Sequence, residues 1–187
     1  AESTDEAVKI AQTHLETYQR QYEAAWLAGM RAKLGLTAGV DSDAQDKALI
    51  EALLDAMDAN EADFTLTFYH LSRLGAGSPA QDHAIRGLFA RPAAFDDWAA
   101  RWRERLQREP QGEAARQAGM QAVNPVYIPR NHQIEAAIRA AEDRGDFSVF
   151  HALHAVLQNP YAEQAGKERY RLPPEPEEVV SKTFCGT

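Results

Sequence analysis

Apolar residues recur along this chain at steps of three and four, and no stretch alternates between polar and apolar residues for long enough to form a sheet. Steps of three and four place side chains on one face of an α-helix, whereas a half-buried strand needs a period of two. The pattern therefore predicts an all-α fold, arranged as an irregular bundle of about eight helices.

The first apolar stripe predicts one unusually long helix. It is preceded by Ser3-Thr4-Asp5-Glu6, which has the form of a capping box, and Gly35 can end the helix after Leu34. At about 1.5 Å per residue such a helix is roughly 45 Å long. We therefore expect it to be an element against which others pack, or to continue from a preceding region. The stripe consists of Val8, Ala11, Leu15, Tyr18, Tyr22, Ala25, Trp26 and Met30.

Further helices are predicted where a residue that caps helices, or a proline that fits the first turn of a helix, precedes an apolar pattern.

Asn124-Pro125 should end one of these helices, because the residue before a proline is pushed out of the helical region. Val126-Tyr127-Ile128-Pro129 then predicts an extended connector without a partner strand. The predicted starts are Asp41-Ser42-Asp43, Asn60-Glu61-Ala62-Asp63, Ser78-Pro79, Pro92, Gly112, Asn131 and Asp146.

The apolar faces of these helices are expected to point inward. In the helix that opens at Pro92, Trp98 and Trp102 lie four residues apart and are interpreted as packing anchors. The last two helices are expected to bury Ile134, Ala137, Ile138 and Ala141, and Phe147, Phe150, Leu153, Val156 and Leu157.

The last part of the chain predicts no regular structure. From Pro160 onward proline and glutamate are frequent, and Pro173-Pro174-Glu175-Pro176 favours an extended backbone that lies along the helical body. We therefore divide the sequence into a helical domain at 1–159 and an extended, Pro-rich tail at 160–187.

Composition excludes several classes of protein. The chain has 20 basic and 28 acidic residues in 187, a formal charge of −8, which argues against nucleic acid and anionic lipid as main partners. No apolar run approaches the roughly 20 residues that span a bilayer, and no signal peptide is evident. The single cysteine excludes an internal disulfide framework and a Cys-rich zinc site, so a reducing, cytoplasmic setting is the simplest expectation.

Several residue groups have the residue types of chemical sites, and each has a simpler structural interpretation. His151 and His154 have the spacing of a metal pair, but their neighbours are apolar, which favours packing or surface roles. Arg130 precedes a helix start that could attract an anion, or it locks the connector by bonding backbone carbonyls. The carboxylates Asp55, Asp58, Glu61 and Asp63 favour helix capping and a solvated face over acid–base chemistry, and Gly75-Ala76-Gly77-Ser78 favours a turn over a phosphate loop.

Cys185 is the candidate redox residue, since it is the only cysteine and lies near the end of the predicted tail. Its nearby cation is Lys182, while Glu177 and Glu178 lie upstream, so no strong source of a lowered thiol pKa is evident. On chemistry alone, a redox role and an incidental terminal cysteine stay open. Within this sequence, no catalytic, cofactor-binding or metal-binding residues are assigned.

Several short motifs, spread over nearly the whole chain, occur in the same order as in the C-terminal region of the selenoprotein O (YdiU) family. The chain therefore resembles that region. The departures concern the tail alone: the family's tryptophan after the paired prolines is replaced by Glu175-Pro176-Glu177, and its usual Cys-Ser-Ser ending is Cys185-Gly186-Thr187. The motifs are Met30-Arg31-Ala32-Lys33-Leu34-Gly35-Leu36, Ala94-Phe95-Asp96-Asp97-Trp98, Asn124-Pro125-Val126-Tyr127-Ile128-Pro129-Arg130-Asn131-His132, Ala136-Ala137-Ile138, Gly145-Asp146-Phe147, Asn159-Pro160-Tyr161 and Pro173-Pro174.

The resemblance implies a piece of a kinase-like protein adenylyltransferase, which transfers AMP from ATP, with Mg²⁺ or Mn²⁺, to Ser, Thr or Tyr hydroxyls of proteins. The family's nucleotide-binding, metal-binding and catalytic residues belong to a preceding core, so the implied role here is a non-catalytic helical part that supports the core. Cys185 matches the family's near-terminal cysteine or selenocysteine, which implies a redox-sensitive link to that core. The alternatives are a freestanding helical interaction module and a small thiol redox protein, the latter disfavoured because a resolving cysteine is lacking.

Overall fold

The computed structural model describes residues 4–75, 82–180 and 182, and within these ranges the chain forms eight α-helices and no strand. This confirms the all-α prediction. The helices are α1 Thr4–Leu34, α2 Asp43–Asp58, α3 Phe64–Leu71, α4 His83–Arg86, α5 Pro92–Leu106, α6 Glu113–Val123, α7 Asn131–Arg144 and α8 Ser148–Leu157. Two short 3₁₀ helices, Glu168–Arg171 and Pro176–Glu178, lie in the tail, whose other described residues form turns, bends or no regular structure.

Local chemistry explains where the helices begin and end. Ser42 caps α2 in a capping box, because its hydroxyl accepts from the Gln45 N–H and the Gln45 side chain accepts from the Ser42 N–H. Gly35 ends α1 with a φ of 70°, and a Cβ there would lie 2.6 Å from Arg116 Cγ and 2.8 Å from Met120 Sδ on α6. Glycine is therefore needed both for the left-handed backbone and for the close approach of α6.

Two predicted caps differ in detail, and two others are not described. Arg130, and not Asn131, is the N-cap residue of α7, since Asn131 already has helical geometry. Helix α8 begins at Ser148, so Asp146 lies two residues before it and accepts a hydrogen bond from the Ser148 N–H at 2.9 Å. The predicted caps at Ser3 and at Ser78-Pro79 lie outside the described residues.

The larger hydrophobic cluster joins the last turns of α1 to helices α2–α6. Trp98 and Trp102 are stacked in its centre, with ring centroids 5.7 Å apart, which agrees with their interpretation as packing anchors. Each buried indole N–H finds a backbone carbonyl: Trp98 donates to Leu49 at 2.9 Å and Trp102 to Leu34 at 3.0 Å. These bonds tie α5 to both α2 and the end of α1.

A second cluster joins α3 and α8 to the connector and the first part of the tail. The connector has no partner strand, but the N–H groups of Val126 and Tyr127 both donate to the Pro160 carbonyl, at 2.8 and 3.1 Å. Tyr170 of the tail is buried beside them. The buried members are Leu66, Tyr69, Val126, Tyr127, Leu153, Val156 and Tyr170.

The apolar faces of three helices, α1, α7 and α8, are only partly covered. In α1 the stripe is exposed from Val8 to Tyr22, and it becomes buried only towards Met30. In α7 and α8, Ala137, Leu153 and Val156 are buried as expected, whereas four other predicted core residues are exposed. Those four are Ile134, Ile138, Phe147 and Phe150.

Candidate functional site

Where the structure describes the chain, no three His, Cys, Asp or Glu side chains gather as metal ligands would. His151 and His154 lie on one exposed side of α8, and both contact Phe150. His154 stacks on the Phe150 ring at 5.9 Å, and its Nε2 lies 3.0 Å from the Gln158 amide nitrogen. These contacts account for the histidine pair as surface side chains that pack on an aromatic ring.

The four carboxylates near the α2–α3 junction do not converge. Asp55, Asp58 and Glu61 are exposed, while Asp63 caps α3 by accepting from the Leu66 N–H at 2.7 Å. Burial raises the pKa of Asp63, but the hydrogen bonds from Arg130 and from the Leu66 N–H outweigh it and hold that pKa below its ordinary value. Helix capping is therefore the observed role of Asp63.

Arg130 forms a bidentate ion pair with Asp63, at 2.7 and 3.0 Å. This side-chain bond spans 67 residues of sequence and stands in place of the predicted bonds to connector carbonyls, while an anion at the start of α7 stays a prediction. The pair fixes the start of α7 against the start of α3.

Two predicted positions cannot be placed. Of the proposed turn Gly75-Ala76-Gly77-Ser78 only Gly75 lies within the described residues, and Cys185 lies outside them as well. The redox role of Cys185 therefore stays a prediction.

The first exposed apolar surface is the stripe on the N-terminal part of α1. Every residue from 6 to 25 is exposed apart from the half-buried Thr17, so about five turns of helix extend beyond the packed bundle. Leu15 is 68% exposed, Tyr18 67% and Tyr22 58%, and the two tyrosine rings stack on each other at 6.3 Å. We call Val8, Leu15, Tyr18 and Tyr22 the α1 stripe. Such a continuous apolar face is typical of an interaction surface.

The second exposed apolar surface is a groove of about 460 Å³ between α7 and α8. Phe147 is 58% exposed and Phe150 49% exposed, although both were expected in the core. We call this surface the α7/α8 groove; its lining residues are Pro129, Ile134, Ala137, Ile138, Ala141, Phe147, Phe150, Leu153, His154 and Leu157. Apart from His154, the side chains that line the groove are apolar, so the groove suits an apolar group.

Sequence reasoning missed a polar cluster that holds the tail on α3. The Tyr69 hydroxyl donates to Glu163 at 2.6 Å and accepts from Arg171 at 2.7 Å, and Arg73 pairs with Glu163 at 3.0 Å. Burial, and then the bond to Glu163, raise the pKa of Tyr69, and the same bond is the main cause that lowers the pKa of Glu163. Because Tyr69 and Glu163 lie 94 residues apart, no local sequence pattern predicts this contact.

Comparison with known proteins gives the family. The family described as protein adenylyltransferase SelO matches residues 6–158. The protein nucleotidyltransferase YdiU of Rhodopseudomonas palustris strain BisB5 is 54% identical over 183 residues, which is 98% of this chain but 36% of the relative. The proteins of the same name from Bradyrhizobium sp. strain ORS 278 and Rhizobium leguminosarum bv. trifolii strain WSM2304 are 49% and 48% identical, over 98% and 100% of this chain.

The chain spans little more than a third of the length of these relatives, since each match covers 36% of the relative's sequence. None of the helices in the described part of the chain combines the length and apolar character that crossing a bilayer requires. The family match extends over most of the chain, from within α1 to the end of α8. The chain therefore belongs to the SelO/YdiU family of protein nucleotidyltransferases.

Proposed function

We propose that this chain is the C-terminal helical part of a protein adenylyltransferase, and that it supports the kinase-like core without supplying reacting groups. In this proposal the core binds ATP and Mg²⁺ or Mn²⁺ and transfers AMP to hydroxyl groups of cytoplasmic proteins. The partial coverage of the YdiU relatives supports the proposal, because nearly two-thirds of their length lies outside the match. The sequence also offers no glycine-rich nucleotide loop and no kinase-type metal motif.

The observation that carries the proposal is the α1 stripe. The free part of α1 runs for about 30 Å, and in proteins most of the stability of a helix comes from packing of its amphipathic face. Two tyrosines and a leucine, each more than half exposed, make up most of that face. A supporting segment that docks on a core through α1 explains why this chain leaves the stripe uncovered.

A chimera tests the proposal. The part of the BisB5 relative that precedes the match is joined to this chain, and AMP transfer to protein is measured with labelled ATP. We expect transfer from the chimera and none from the chain alone. Leu15→Glu with Tyr22→Glu should lower both the activity and the thermal midpoint of the chimera, because two charges would be buried at the contact.

The matched control is Thr13→Glu with Ala24→Glu, which adds the same charge to the opposite face of α1. This control should leave the chimera unchanged. AMP transfer by the chain alone would contradict the proposal, and so would equal behaviour of the stripe and control variants. The latter result would favour a freestanding interaction module.

The redox part of the proposal concerns Cys185, which would form a reversible disulfide with a cysteine thiol of the core, the two thiols giving up two protons and two electrons to a mild oxidant. Cys185→Ser in the chimera should abolish any change of AMP transfer on mild oxidation. The alkylation rate of Cys185 against pH gives its apparent pKa, and a value near 8.5 would leave little thiolate at neutral pH. Oxidation that affects Cys185→Ser and the parent chimera equally would exclude the link.

A further inference from the structure

The α1 stripe has the spacing of a surface that packs against another helix. Its four residues and the small side chains of two alanines recur at strictly alternating steps of three and four. This alternation corresponds to a period of about 3.5 residues, the repeat of paired helices. We call the six positions the α1 seam; in order they are Val8, Ala11, Leu15, Tyr18, Tyr22 and Ala25, and all are exposed.

A facing helix requires such an alternation, whereas a surface of strands or loops imposes no such repeat. In helix pairs of this kind, each seam side chain inserts between four side chains of the partner, and the two axes cross at about 20°. Helix α1 is unbroken from Thr4 to Leu34. The α1 seam is therefore continuous over about 26 Å from Val8 to Ala25.

The sizes of the seam side chains define what the partner helix should carry. Tyr18 and Tyr22 are large, stack on each other at 6.3 Å and occupy neighbouring seam positions, whereas Ala11 and Ala25 leave space on either side of them. Facing helices fill space evenly when large side chains meet small ones. We therefore expect small residues opposite the two tyrosines, and leucine, isoleucine or phenylalanine opposite the two alanines.

The charged residues beside the seam favour a basic partner. Lys9, Glu16 and Glu23 are exposed and lie seven residues apart, so they form one line along one edge of the seam. Two carboxylates and one ammonium group give this edge a net negative charge. Gln12 and Gln19 lie between the charged line and the seam, so contact at the seam itself buries no charge. Lysine or arginine on the facing edge of the partner would complement this arrangement.

We propose that the occupant of the α1 seam is an amphipathic α-helix with a basic edge, in the part of the full-length protein that lies outside this chain. The inference rests on the proposed function, because it specifies the element of the core on which α1 docks. Nearly two-thirds of the length of the BisB5 relative lies outside the match. A helix of the same polypeptide is also held close to α1, unlike a separate partner.

The packing that already exists in this chain has the same form. Towards the end of α1, Met30 and Leu34 are buried in the larger cluster, which is built from helices. The proposed helix would extend that helical layer along the part of α1 that is now exposed.

Cysteine scanning along α1 tests the proposal in the chimera and in the 187-residue chain. Labelling of α1 by iodoacetamide is followed by mass spectrometry, which separates it from labelling elsewhere. In the chimera we expect seam cysteines to react about tenfold or more slowly than cysteines on the opposite face, and in the chain alone we expect similar rates on both faces. The replaced side chains are all exposed, so the core stays closed. The seam variants are Ala11→Cys, Leu15→Cys and Tyr22→Cys, and the matched controls are Thr13→Cys, Arg20→Cys and Ala24→Cys.

A second pair of variants tests the basic edge. Glu16→Gln with Glu23→Gln should raise the labelling rate of the seam cysteines in the chimera about threefold, because two attractive charges are lost. Thr13→Lys with Ala24→Lys changes the net charge by the same amount on the opposite face and should leave the rate unchanged. Equal effects of the two pairs would exclude a basic edge on the partner.

Three results would overturn the proposal. Equal labelling of both faces, in this chimera and in a second one built on the Bradyrhizobium relative, would show that nothing covers the seam. Slow labelling of both faces would show that α1 is enclosed rather than paired with one helix. Slow seam labelling in the chain alone that depends on its concentration would make a second copy the occupant.

AMP transfer is measured separately, so failure of the proposed function is distinguishable from failure of this inference. An inactive chimera with slow seam labelling would contradict the proposed function and support the docked helix. An active chimera with equal labelling of both faces would do the reverse.

Discussion

The two parts of α1 share one apolar spacing and differ completely in their surroundings. In the last turns Met30 and Leu34 are buried in the larger cluster with residues of α2–α6, while Leu15 and Tyr18 on the same stripe face solvent. The spacing identifies which face of a helix is apolar, but the covering side chains come from distant parts of the sequence. The comparison teaches that an apolar face predicts a contact without predicting its partner.

Polar contacts also differ between the packed part and the free part of α1. In the packed part, Arg31 donates to Asp46 at 2.6 Å, and the other carboxylate oxygen of Asp46 accepts from Arg105 of α5 at 3.0 Å. In the free part, bonds such as that from Gln19 to Glu23 stay within one turn of α1. The buried Asp46 carboxylate thus connects α1, α2 and α5, whereas the surface pair connects residues of α1 alone.

The largest expected effect is therefore at Asp46, which is fully buried between two arginines. Asp46→Ala should reduce the free energy of unfolding by about 3–5 kcal/mol, because it leaves Arg31 and Arg105 buried without that carboxylate. Urea denaturation followed by tryptophan fluorescence measures the change. The packed part of α1 should detach in this variant before the rest of the larger cluster.

Asp43 is the matched control, because it also bonds to Arg31 at 2.7 Å but its side chain is 80% exposed. Asp43→Ala should cost about 0–1 kcal/mol, as exposed ion pairs do. A similar cost for Asp43→Ala and Asp46→Ala would show that burial does not govern this cluster.

The second prediction applies one substitution to both parts of α1. Leu34→Ala removes a fully buried side chain and should cost about 2–5 kcal/mol in the free energy of unfolding, through lost burial and the cavity left behind. Leu15→Ala in the free part should change that free energy by about 0.5 kcal/mol or less. Both values come from the same denaturation experiment. A large cost for Leu15→Ala in the monomeric chain would mean that the stripe is covered in solution.

The sequence predicts the helices well where a local signal sets them. Ser42, Pro92 and Gly35 act through bonds or backbone angles within their own turn, so their roles can be predicted from neighbouring residues. The burial of Trp98 and Trp102 can also be predicted from the sequence, because large aromatic rings at helical spacing usually pack in a core.

The candidate surfaces were harder to predict because their partners are distant. Ile138 and Phe150 have core-like spacing, yet α7 and α8 pack mainly on each other and leave these side chains at a shared groove. The bonds from Arg130 to Asp63 and from Tyr69 to Glu163 span 67 and 94 residues. Such contacts depend on tertiary packing, which periodicity and capping do not encode.

The smallest expected effect concerns the tail, which covers the apolar residues of the second cluster. Burial, and then the positive charges of Arg171 and Arg73, lower the pKa of His70, while Glu163 opposes them. NMR titration of the His70 ring should give a midpoint below about 6.5, the usual value. Arg171→Met should raise this midpoint, because it removes one of the positive charges.

The sign of the stability change follows from that lowered pKa. A group that binds protons less tightly when folded has its full stability above the unfolded pKa, near pH 6.5, and loses it as the pH falls towards the folded pKa. The free energy of unfolding should therefore decrease as the pH falls below about 6.5, and His70→Gln should reduce that slope. A His70 midpoint at or above 6.5 would mean that the contacts of Arg171 and Glu163 with Tyr69 do not persist in solution. The tail would then cover the second cluster only loosely, and the contrast between covered and open surface would be confined to α1.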